Sequence, residues 1–260
     1  MKLLFITVFL ASGGVFAYTA GVNVDRQSKF TTAEAAYLNG DLFKAEYFFK
    51  DVIKGKIQDA VTFNAMDRLV SIAETTDDKK LFADVLLELK DVKNSSEQAY
   101  QSLLYTTAKY ALHNGKCDVS IGLASKIDPT SAYYLKALYL KAGCLGVAKK
   151  YKEALLLFDN IIKAQNSSVQ QELKDLAILG KGRMFMMLKR YDKALIEYES
   201  IEPTSVYYLE SMEEITRVFL SKKDYEQALS HLEALAFVNK KLSVKDDYLE
   251  GDITLTDFGL

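Results

Sequence analysis

Side chains able to do chemistry are sparse along this sequence. It holds two histidines, His113 and His231, and two cysteines, Cys117 and Cys144. The histidines lie far apart within helical patterns and read as solvated residues toward helix ends; their surroundings suggest no zinc site. Neither the strained G-x-S-x-G elbow that exposes a nucleophilic serine nor the G-x-x-x-x-G-K-[ST] loop that cradles phosphate occurs. The basic, glycine-bearing stretch GKGRMFMML (180–188) lies in a helical pattern, and close packing accounts for its Gly182. The expectation is a chain with no catalytic residue, no cofactor and no metal.

One stretch near the C-terminus does look chemical. Asp257, Phe258 and Gly259 in ITLTDFGL resemble the metal-binding D-F-G segment of protein kinases. That aspartate works only beside a glycine-rich phosphate loop, a strand lysine and a catalytic-loop Asp and Asn. None of these is present. Residues 246–260 read instead as an acidic, β-prone tail. It either packs along the last helix or offers Phe258 and Leu260 as anchors of a short recognition segment.

The elements that would position any functional residue repeat. IDPTSAYY (127–134) returns as IEPTSVYY (201–208), and the chain's two prolines, Pro129 and Pro203, mark the offset of 74 residues (203 − 129). Downstream, KKYKEALLLFDNI and KKDYEQALSHLEAL keep that offset from Tyr151 to Tyr225. KRYDKALIEYESI around Tyr191 and NGDLFKAEYFFKDVI around Leu42 are further copies. Cys117 anchors a degraded copy, and Leu81 one placed by spacing alone. The period is in the mid-thirties, the mark of stacked supersecondary units. Apolar residues three and four apart form one helix face. The scarcity of proline and the short Gly, Asn and Asp turns predict helix almost throughout. A lone helical hairpin cannot bury its apolar face, so the hairpins must stack.

These residues resemble the tetratricopeptide repeat family. The small residue of its second helix matches Ala45, Ala154, Ala194 and Ala228, and the large residue one turn on matches Phe49, Phe158, Tyr198 and Leu232. The small residue of its first helix matches Ala33, Ala108, Ala142 and Gly182, and Gly40-Asp41 matches its turn. The prolines come early, so the second helices before them should be short. Thr216 replaces the small residue in the last unit, and the second unit hardly fits. The resemblance covers roughly 26 to 240. It implies an all-α, right-handed superhelical solenoid of about six helix-turn-helix repeats.

It also implies a role: a non-catalytic scaffold or adaptor that holds a peptide or helix in a groove lined by the first helices. Tyr105, Lys109, Lys136, Tyr139, Arg183, Met187, Glu213 and Arg217 fall on that face. Lys109, Arg183 and Arg217 share one repeat place and would line the groove with cations for ligand carboxylates. The same side chains equally read as ordinary solvated ones. An alternative role is an accessory or regulatory subunit of an envelope enzyme or of a secretion or pilus assembly complex. In stacked hairpins, Cys117 and Cys144 come near enough to make a disulfide possible, closing 27 residues (144 − 117). A loop of that order contributes roughly 3 kcal/mol. Two separate buried thiols are the alternative.

The N-terminus differs. Lys2, an apolar run from Leu3 to about Leu10 and small residues up to Ala17 have the build of a secretory signal peptide, cleaved after Ala17. The expected organisation is a signal peptide (1–17), a repeat domain (18–245) and the acidic tail (246–260), in a periplasmic or secreted protein. Membrane contact follows only if the first segment is retained. A formal net charge of −2 and a pI near 5.8 argue against nucleic acid as partner. The expected partner is a protein or peptide, not a small-molecule substrate.

Overall fold

The computed structural model describes residues 24–164 and 170–246, and those residues contain twelve helices and no strand. The expected signal peptide and nearly all of the acidic tail lie outside the described residues. In chain order the helices are α1 (24–38), α2 (Leu42–Ile53), α3 (Ala60–Thr76), α4 (Lys79–Lys90), α5 (Gln98–His113) and α6 (Cys117–Ala124). They continue with α7 (Tyr134–Val147), α8 (Tyr151–Ile162), α9 (Gln170–Met187), α10 (Tyr191–Glu199), α11 (Tyr208–Lys222) and α12 (Tyr225–Asp246). Odd-numbered helices are the first members of six hairpins and even-numbered helices the second. Of the six repeat anchors read from sequence, Leu42, Cys117, Tyr151, Tyr191 and Tyr225 each begin a second helix.

One turn geometry recurs between the two helices of every hairpin. Gly40, Asp77, Gly115, Lys149, Lys189 and Lys223 all have left-handed backbone, with φ between 50° and 78°. The residue after each donates its N–H to a carbonyl five residues back, as Asp41 does to Ala36 and Arg190 to Phe185. This is the double-bonded helix stop that satisfies the last carbonyls of a helix. Glycine takes that conformation freely, whereas lysine and aspartate adopt it at a cost. Asp41 and Asp78 then cap the next helix, accepting from the N–H groups of Lys44 and Leu81. The second helices that precede the prolines are indeed short, 8 residues in α6 and 9 in α10 against 12 in α8.

The described residues form two compact units that divide between Leu140 and Lys141, within α7. In the first, α3 lies against α2, α4 and α5, and α5 against α6. Its core holds Ala45, Phe49, Phe63, Leu69, Phe82, Tyr100, Leu104 and Ala108, all buried. In the second, α9 lies against α8 and α10, and α11 against α10 and α12. Ala154, Ala194 and Ala228 are 0, 0 and 2% exposed, as the repeat register requires. Gly182 is buried because Tyr198 occupies the place of its missing side chain: a Cβ there would lie 2.3 Å from the ring. Gly180 makes room for Phe158 in the same way, at 2.5 Å. Leu232 departs from the register and is 46% exposed, since no further described helix packs over α12.

Candidate functional site

The first helices carry the side chains of interest, and the two units arrange them differently. In the first unit, α3 and α5 lie side by side and α7 begins with its Tyr134. Asp67 and Glu74, two turns apart on α3, face α5. Tyr105 of α5 stacks on Tyr133, with ring centroids 5.4 Å apart and planes at 27°. Lys136 Nζ sits 5.8 Å from the Tyr105 ring centre and 5.9 Å from that of Tyr133. Cation–π attraction holds the ammonium there. No carboxylate among the described residues lies within ion-pair distance of it. Lys109 Nζ, one turn along α5 from Tyr105, is 3.7 Å from Glu74 Oε1, and His113 Nδ1 is 3.8 Å from the same oxygen. Both are long, partly exposed contacts.

One carboxylate of this face, Asp67, is poorly compensated. Asp67 faces the hydroxyls of Ser102 and Thr106, and its Oδ1 is buried without a hydrogen-bond partner. Burial pushes its pKa above the ordinary carboxylate value, and Thr106, Arg68 and Ser102 counter it only in part. Burial likewise raises the Tyr105 phenol, with smaller contributions from Tyr133 and Glu74. The face thus runs from carboxylates on α3, across aromatic rings, to an ammonium on α7.

In the second unit the cations are already satisfied. Arg183 of α9 donates from Nη2 to Glu210 Oε1 at 2.5 Å and from Nε to Glu214 Oε1 at 2.8 Å. Arg217 Nη1 donates to the same Glu214 oxygen at 3.0 Å, and its Nη2 lies 3.9 Å from Glu213. Burial works against the charge on Arg183, but the two glutamates outweigh it and hold its pKa above the usual arginine value. The Glu214 side chain is only 5% exposed. Beneath this network the Tyr198 hydroxyl is buried without a partner, and burial, then the Glu214 charge, pushes its pKa far up.

The row of ligand-ready cations expected at Lys109, Arg183 and Arg217 is therefore corrected: each has a carboxylate of its own unit. Tyr105, Lys109 and Lys136 come together in the first unit, with Tyr139 half-buried further along α7. Arg183, Glu213 and Arg217 come together in the second, and Met187 is 59% exposed at the end of α9. Sequence reasoning missed Tyr133, Asp67, Glu74, Glu210 and Glu214. A signal existed for Glu214, which precedes Arg217 by three residues on one helix.

The remaining reactive side chains lie elsewhere. Cys117 is half-buried at the start of α6 in the first unit and Cys144 is buried in the second, and no disulfide joins them in this structure. His113 is partly exposed, but His231 is half-buried inside α12, its ring 5.2 Å from that of Phe219 and its Nδ1 enclosed without a partner. It is not the solvated helix-end residue that its sequence context suggests. Among the described residues no three His, Cys, Asp or Glu could hold a metal ion, and no helix is long and apolar enough to cross a membrane.

Neither a family model nor a curated protein matches the sequence. Solved structures do. A tetratricopeptide repeat protein from Parabacteroides merdae matches with a TM-score of 0.65 at 14% identity, over 82% of this chain and 79% of its own. PilF of Pseudomonas aeruginosa matches at 0.59 with 12% identity, over 84% and 93%. YrrB, described as a TPR protein with an unusual peptide-binding site, matches at 0.50 with 14% identity, over 84% and 98%.

Proposed function

We propose that this chain, which has the tetratricopeptide-repeat fold, is a non-catalytic interaction scaffold that captures a peptide or helical segment on the first-helix face of its first unit. The observation that carries the reading is the Tyr105–Tyr133–Lys136 group. Two stacked rings offer a flat apolar contact, and the ammonium above them keeps its hydrogen-bonding capacity for a ligand. A carboxylate of the bound segment sits on Lys136. Its backbone or an apolar side chain lies on the tyrosines, and a basic group points toward Glu74. The match to YrrB supports a peptide as ligand class.

The N-terminal sequence supports action outside the cytoplasm, in the envelope or the medium. Mature protein beginning at Tyr18 in exported material is the expected processing product, and retention of Met1 would overturn that part of the reading.

The binding reading is tested with peptides selected from a displayed library on the intact protein. Hydrogen exchange of the complex should show protection in α5 and at the start of α7. Protection confined to α9 and α11, or a library that yields no binder, would refute it.

A further inference from the structure

The second helices of the first unit carry a separate feature. A groove of about 550 Å³ runs between α4 and α6 and is lined mainly by apolar atoms. Leu86, Leu87 and Lys90 line it from α4, Gly122 and Leu123 from α6, and Lys126 from the turn just after α6. Each residue of the second set lies 36 positions after its counterpart in the first (122 − 86, 123 − 87, 126 − 90), so both helices present one repeat face to one groove. Leu87 is 57% exposed, and the position of the missing Gly122 side chain opens onto space with nothing within 4 Å.

The apolar place of Leu86 and Gly122 recurs as exposed Tyr47, Leu156 and Ile196 in α2, α8 and α10, but its flanks differ. Earlier on the stripe Ala83 and Val119 extend the apolar lining, whereas the same place holds Lys44 in α2, Glu153 in α8 and Lys193 in α10. The lysine place holds Asp51, Asn160 and Ser200 in those helices. Helices α4 and α6 belong to the two copies that fit the repeat pattern least. Their departures from it make one apolar trough with two lysines. No carboxylate among the described residues pairs with Lys90 or Lys126.

We infer that this groove docks an amphipathic helix of a partner protein, its apolar side chains seated on Leu86, Leu87 and Leu123 and its acidic side chains on Lys90 and Lys126. A helix fits because a trough between two helices accepts the ridge of a third. Acidic flanks fit because the lysines are the charges that line the trough. The site is independent of the Tyr105 face, which belongs to the first helices.

The test uses two synthetic helical peptides with leucine at i, i+3, i+4 and i+7, one flanked by glutamate and one by lysine, titrated by fluorescence anisotropy. The acidic peptide should bind at least tenfold more tightly than the basic one. Gly122→Leu, whose Cβ would have nothing within 4 Å and whose side chain extends into the trough, should abolish binding while leaving the unfolding midpoint undiminished. The double variant Lys90→Glu, Lys126→Glu should reverse the preference. Equal binding of the two peptides, binding of neither, or indifference to Gly122→Leu would overturn the inference. So would a concentration-dependent dimer of the wild type that Gly122→Leu dissolves, since the occupant would then be a second copy.

Discussion

Lys109 and Arg183 stand at one repeat place, 74 residues apart (183 − 109), yet one is loosely held and the other locked. The difference comes from their neighbours under the same offset. Glu210, which binds Arg183, corresponds to Lys136 (210 − 74), and Glu214 corresponds to the buried Leu140 (214 − 74). In the second unit, therefore, an arginine meets two carboxylates and the face closes on itself. In the first, the corresponding places hold Lys136 and Leu140, so Lys109 is left with its long 3.7 Å contact to Glu74, and Lys136 lies over the rings of Tyr105 and Tyr133. A change of sign at one place and a carboxylate replaced by leucine at another separate a structural face from one with an available charge. Repeat proteins can thus keep a packing frame constant while switching the face above it.

Changes on the closed side should have the largest effect on stability. Glu214→Ala removes the carboxylate shared by Arg183 and Arg217. It should cost about 2–3 kcal/mol, below the 3–5 kcal/mol of a fully buried pair because Glu210 remains. The denaturation midpoint reads this directly. Ala194→Leu probes the frame itself. Ala194 is fully buried between helices, and overpacking it should cost roughly 1–3 kcal/mol; an unchanged midpoint would break the register on which the comparison rests. Lys189→Gly relieves a left-handed lysine in the turn between α9 and α10 and should stabilise by about 0.5–1 kcal/mol.

The open side carries a pH signature. Because the folded-state pKa of Asp67 is raised above its ordinary 3.8, the native state binds that proton more tightly than the unfolded chain. Wild-type stability is therefore lost as pH rises from the ordinary value through the raised one, and the penalty stays above it. Asp67→Asn should be more stable than wild type at neutral pH, by less than about 1 kcal/mol. The gain should shrink to nothing below the ordinary value. Thermal melts of both proteins across that range decide it.

Much of the frame was legible in the sequence. The helix starts at Leu42, Cys117, Tyr151, Tyr191 and Tyr225, the buried alanines and the short helices ahead of Pro129 and Pro203 follow from spacing and residue size, which act locally. The faces were less legible. Their positions were found, but whether a cation there is available depends on what an adjacent helix brings beside it. Glu210 and Glu214 become visible only when the 74-residue offset is applied to the surface stripe as well as to the core. His231 and Leu232 were misread for a related reason: their burial depends on what packs around α12, which a position within a repeat does not specify.

On the proposed reading, Lys136 is the charge through which the first unit's face holds its ligand. The most direct measurement is the affinity of a library-selected peptide for wild type, Lys136→Glu and Arg217→Glu. At least a tenfold loss, about 1.4 kcal/mol, is expected in Lys136→Glu, which replaces the available ammonium with a carboxylate like that of Glu210 at the same repeat place. Arg217→Glu should bind as wild type does. Equal affinity of Lys136→Glu and wild type, or a loss confined to Arg217→Glu, would contradict that reading.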